Sequence, residues 1–121
     1  MSLSLQPIGM KTFTELEFAD FYLDRAIKEA DVRERAEMLY EVVNLGLKAL
    51  ADYFYITDGT RSEIAIKLSD ILGSWVSETW DLALSLHYYI YVDGIIDEEF
   101  MKEAEKRVED FIKNVKEVIY E

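Results

Sequence analysis

His87 is the only histidine in the chain, and it stands within WDLALSLHYYIYVDGIIDE, the stretch from Trp80 to Glu98. An imidazole can take up a proton or ligate a metal, so His87 is the first residue to test for catalysis. The companions such chemistry needs are missing from its surroundings in the sequence. The chain has no cysteine, so carboxylates would have to complete any zinc site around a lone histidine. A di-iron site in a helical bundle needs Glu-x-x-His, and Leu84 occupies the glutamate position before His87. No Gly-rich phosphate loop occurs, and no serine, histidine and acid follow one another at a recognisable spacing. Asp81 precedes His87 by more than a turn and a half of helix, so the two are not expected to face each other. The plainer role for His87 is that of a core histidine satisfied by one hydrogen bond to a neighbour. No metal and no cofactor are expected.

The aromatic residues around His87 admit two further readings. Trp75 and Trp80 lie on the same predicted helix as His87, and the three could line a pocket for a small ligand. Tyr88, Tyr89 and Tyr91 sweep around that helix and cannot all face one core. Leu82, Ala83, Leu84, Leu86, Ile90 and Val92 make the same helix apolar nearly all round. Tyrosines left outside a core are typical of protein interfaces, so these three are interface candidates, with a homodimer as the simplest case.

Five helices can be placed to hold these residues. The first is expected to begin at Thr14 with Glu17 as a capping box, after a loosely ordered arm over residues 1–12. Leu16, Ala19, Leu23, Ala26 and Ala30 form its inner stripe. Phe18, Phe21 and Tyr22 widen the stripe, which predicts a helix buried over much of its girth. The second begins at Asp31 and turns Leu39, Val43, Leu47, Leu50 and Phe54 inward. Gly46 beside this stripe costs about 1 kcal/mol relative to alanine, which a close approach by another helix would explain. Thr60 and Glu63 form a capping box for a short third helix that ends at Gly73. Ser74 is expected to cap the fourth, whose inner stripe is Val76, Trp80, Ala83, His87 and Ile90. Asp93-Gly94 stops it. Asp97 caps the fifth, with Phe100, Ala104, Val108, Phe111, Val115 and Ile119 inward. Nothing alternates at the period of a strand, and there is one proline. Short connections between amphipathic helices predict an all-α antiparallel up-and-down bundle forming one domain over 1–121.

Composition narrows the function classes. Half the residues are hydrophobic, enough for a core in a chain of 121 residues. The formal net charge is −12, from 25 acids against 13 bases. A nucleic-acid binder needs a cationic face, and no basic segment supplies one. No apolar run approaches the roughly 20 residues of a membrane span, and the first residues do not read as a signal peptide. The absence of cysteine fits a reducing cytoplasm. Only three amides occur (Gln6, Asn44, Asn114) among abundant charged residues, a balance found in thermophile proteins.

Two blocks resemble the archaeal PaREP family, within the wider HEPN group of helical bundles. AEMLYEVVNLGLKALADYF (Ala36 to Phe54) is similar to that group's second helix, with its lysine-alanine-leucine turn at Lys48-Ala49-Leu50. Trp75, Trp80, Ala83, Leu86-His87, Gly94 and Asp97-Glu98-Glu99 follow the order of the PaREP family's latter half. The resemblance covers about two-thirds of the chain and implies an HEPN-like scaffold of about five helices. Some members of the group cleave RNA with an arginine followed, after four to six residues, by a histidine. The matching positions here hold Trp80, Asp81 and Leu82, and an aspartate would repel the phosphate that the arginine steadies. Other relatives pair with nucleotidyltransferase-type proteins in toxin–antitoxin operons. The expectation is therefore a non-catalytic interaction module that self-associates or binds a protein partner. The alternative is an HEPN-type ribonuclease or a nucleotide-binding protein centred on His87.

Overall fold

The structure is a computed structural model that describes the backbone of residues 6–120 and the side chains from Met10 to Tyr120. It is all-helical, with no strand among the described residues. Five helices follow in order: α1 (Gln6–Lys28), α2 (Val32–Tyr53), α3 (Arg61–Leu72), α4 (Trp75–Ser85) and α5 (Glu98–Tyr120). A π-helical segment, Leu86–Val92, continues α4 without a break.

Most of the boundaries have the expected physical cause. Asp31 caps α2 by accepting the backbone N–H groups of Arg33 at 2.9 Å and Glu34 at 3.2 Å. At α3 the Thr60 hydroxyl accepts the Glu63 N–H at 3.2 Å, and the Glu63 carboxylate accepts the Thr60 N–H at 2.8 Å. Those hydrogen bonds hold the Glu63 carboxyl below the usual carboxylate range. Asp97 accepts the Phe100 N–H at 3.0 Å and starts α5.

Three expectations give way to the structure. The first helix begins by Gln6, not at Thr14, and Thr12 is buried, so of the supposed arm only residues 1–5 lie outside the described part. Pro7 does not delay the helix, because its missing N–H falls in the first turn, where that donor has no intrahelical partner. Ser74 does not cap α4 with its side chain. The Ser69 hydroxyl does so from α3, accepting the Ser77 N–H at 2.9 Å. The fourth helix also does not keep a regular α pitch to Asp93. Its hydrogen bonds widen, with the Asp93 N–H reaching Tyr88 O at 3.0 Å and the Ile95 N–H reaching Tyr89 O at 2.9 Å.

The core sits around α2. Leu39, Val42, Val43, Leu47 and Leu50 are fully sealed. They meet Leu16 and Ala19 from α1, Val76 and Ala83 from α4, Leu86 and Ile90 from the π segment, and Val108, Phe111 and Val115 from α5. At Gly46 α5 comes close, for a Cβ there would lie 2.7 Å from the Phe111 ring. Lys11 pairs with Asp52 at 3.7 Å and Lys48 with Glu15 at 3.7 Å. These links tie the start of α1 to the end of α2, so the two helices run in opposite senses along a shared seam.

Candidate functional site

His87 occupies the first turn of the π segment and is partly buried. Its Nδ1 lies 2.7 Å from Glu37 Oε1 on α2. An ionised carboxylate only accepts, so in this contact Nδ1 carries a proton and donates the hydrogen bond to Glu37. Among the described residues Nε2 meets no hydrogen-bond partner. The imidazole is stacked against Tyr40 with ring centroids 4.9 Å apart, and against Tyr91 at 5.9 Å. Tyr88 meets it edge-on at 4.8 Å. Glu37 and Tyr40 share a face of α2 because they are three residues apart.

The cluster extends toward α3. Tyr40 lies 5.9 Å from the Trp80 ring, whose Nε1 donates to the Ser62 hydroxyl at 3.0 Å. Arg61 donates through Nε to Asn44 Oδ1 at 2.6 Å. Burial, and then the charges of Glu37 and Glu41, push the Tyr40 hydroxyl above its ordinary pKa, and Arg61 opposes them. Tyr40 therefore stays a neutral hydroxyl at physiological pH.

The three residues read as one ligand pocket do not converge. Trp80 and His87 lie in the same cluster, bridged by Tyr40. Trp75 lies apart, edge-on to Phe111 at 5.7 Å, with its Nε1 donating to Leu72 O at 3.2 Å. It borders an open groove of about 650 Å³ with Asn114, Glu117 and Val118. Five residues along α4 turn Trp75 and Trp80 about 140° apart around the axis, so one side chain faces Phe111 of α5 and the other the Tyr40 cluster. Sequence reasoning missed Glu37, Tyr40 and Arg61, which come from two other helices. Spacing within one helix carries no signal for such partners. Glu37 could have been noticed only as a carboxylate on the flank of an otherwise apolar stripe.

The interface candidates are also divided. Tyr88 and Tyr89 are exposed, while Tyr91 is partly buried over His87. The exposed pair continues into Val92, Ile95 and Ile96, and all five side chains are more than half exposed. Arg33 of α2 secures this end of the helix, donating from Nε and Nη2 to Tyr91 O at 2.9 and 2.6 Å. Within the π segment Tyr88 and Tyr89 stand on the outside while Leu86 and Ile90 stay sealed in the core.

Among the described residues no group of three or more His, Asp or Glu side chains is placed to hold a metal ion, and no helix is long and apolar enough to cross a membrane. An all-helical domain with a histidine–carboxylate contact set in a π turn defines the class. Residues 14–112 match the archaeal PaREP1/PaREP8 family, and the chain belongs to it. The match takes in the His87 cluster, the π segment and most of α1. No curated protein matches the chain, and no solved structure does.

Proposed function

We propose that this chain is a non-catalytic interaction module of HEPN type. In this reading it is an antiparallel up-and-down bundle that presents the face around the π segment to a protein partner and also self-associates. The observation that carries the reading is the run of Tyr88, Tyr89, Val92, Ile95 and Ile96, five large side chains held more than half exposed within nine residues. Large apolar side chains left exposed close together in the chain are a usual mark of an interaction site. Asp81, Asp93, Asp97, Glu98 and Glu99 are exposed nearby in the sequence and give the patch an acidic border. A partner with an apolar patch rimmed by lysine and arginine would complement it. The HEPN resemblance points to a nucleotidyltransferase-type protein as that partner. The environment of His87 supports a structural role: a carboxylate takes one ring nitrogen, and two tyrosines cover its faces.

Co-expression with the protein encoded by the adjoining gene tests the reading. A complex that survives gel filtration and is lost in Tyr89→Ser/Ile96→Asp is expected. A complex indifferent to both substitutions would sink it.

A second reading keeps a catalytic His87, favoured by the one observation that Glu37 holds Nδ1 and leaves Nε2 unengaged. It predicts RNA cleavage that His87→Ala abolishes without loss of helicity. Purified protein that leaves single-stranded RNA intact eliminates this alternative.

A further inference from the structure

The outward face of α1 is left uncovered by the rest of the fold. Phe18 and Phe21 are each more than half exposed, and with Thr14 and Glu17 they wall a hollow of about 330 Å³. This overturns the expectation that both phenylalanines widen the buried stripe. The buried side of α1 is the opposite one, carrying Leu16, Ala19 and Ala26.

The charges on this helix are unequally matched. Asp24 holds Lys28 at 3.1 Å, and Asp20 holds Lys116 at 2.8 Å. Glu17 and Arg25 form no ion pair among the described residues. Arg25 instead lies over the Phe21 ring, 5.6 Å from its centroid. Glu17, Phe21 and Arg25 follow at intervals of four, so they share one stripe with the aromatic ring midway between the two charges.

We propose that a second copy of this chain docks on the face, α1 against α1 in opposite directions, about a two-fold axis passing close to Phe21. Such an axis sets Glu17 of each copy against Arg25 of the other and brings the two Phe21 rings together. The hollow beside Phe18 receives apolar atoms of the opposing helix. An isologous contact has to be self-complementary. A stripe with an acid at one end, a base at the other and an aromatic ring between them meets that condition, whereas a foreign partner would require no such palindrome. The two cross-pairs also offer local attraction between molecules that each carry a net charge of −12. The inference shares with the proposed function the premise that the chain associates with protein. It assigns the second copy to α1 and leaves the π-segment face to a different protein.

Analytical ultracentrifugation of the full chain, from micromolar to near-millimolar concentration, tests the assignment. The wild type is expected to be a dimer, and Phe21→Glu a monomer with unchanged helicity, because the side chain it replaces is on the outside. Glu17→Arg and Arg25→Glu should each weaken the dimer by about tenfold or more. Combining them should restore it, since the charges then pair again with their signs exchanged. A double variant no tighter than the single ones overturns the inference. So does a dimer that persists in Phe21→Glu but dissolves in Tyr89→Glu, which would place self-association on the π-segment face. A wild type that is monomeric throughout and still binds its protein partner sinks this inference and the self-association in the proposed function, and leaves the partner-binding face of the π segment standing.

Discussion

At Glu15 a carboxyl is sealed between α1 and α2 with little to satisfy it. Neither of its oxygens meets an aligned hydrogen-bond donor, and the nearest cation, Lys48, stays 3.7 Å away. Burial pushes its pKa up to about 7, helped by the neighbouring Asp52 carboxyl and opposed by Lys48 and Lys11. A proton shared between the two carboxyls is the natural remedy. The folded chain therefore holds this proton more tightly than the unfolded chain does. The associated stability is fully present below about pH 4.5, falls as pH rises through 7 and is flat beyond. Glu15→Gln should remove that slope and raise stability above neutrality by roughly 2 kcal/mol. Urea melts of both proteins at pH 5 and pH 8 measure the difference, and parallel pH profiles would refute it. Gly46 supports a second residue-scale test. Alanine gains about 1 kcal/mol of helix propensity, but its Cβ would sit 2.7 Å from a Phe111 ring atom inside a packed core. Crowding of this kind costs about 1–3 kcal/mol, so Gly46→Ala should be net destabilising. Pairing it with Phe111→Leu should recover part of the loss.

Among the elements, the fourth helix depends on groups outside itself. Ser69 supplies the cap that Ser74 does not, so Ser69→Ala should cost about 1 kcal/mol, while Ser74→Ala should be close to neutral. A thermal melt that ranks the two variants the other way would refute the assignment. The distal end depends on Arg33, which gathers the Tyr91 and Val92 carbonyls. Arg33→Ala should raise amide exchange at Asp93, Gly94 and Ile95 more than in α2, because their hydrogen bonds close the π segment. Sequence patterning revealed these elements unevenly. Asp31, Thr60–Glu63 and Asp97 announced their helices, because a cap and its recipient are neighbours in the chain. The π winding was hidden, because LHYYIYV has apolar residues enough to suit either pitch, and packing decides between them. Glu37 and Tyr40 were hidden for a related reason, since they reach His87 across some 50 intervening residues. The face of α1 was misread because Leu16 and Phe18 are equally apolar, and composition alone does not say which one a neighbouring helix will cover.

For the molecule as a whole, the excess of acids should govern how stability responds to salt. A net charge of −12 on 121 residues leaves many like charges facing solvent, and several ion pairs, such as Lys106 with Asp110 at 3.6 Å, are exposed at both ends. Exposed pairs contribute little, whereas overall repulsion is relieved as ions screen it. Raising sodium chloride from about 0.02 M to about 0.3 M should therefore raise the midpoint of thermal unfolding. A fall would mean that attractive pairs outweigh the general repulsion.

The wide turn at Leu86–Val92 also makes this stretch a place where chain length is negotiable. A winding that closes over five residues holds one more than a regular turn requires, so a shortened version could tighten without leaving a gap in its ladder. The residues beyond the shortening would then keep nearly their present direction around the axis, because the surplus residue is given up within the wide turn itself. Trimming a single amino acid here would leave the helix count and the seating of α5 intact.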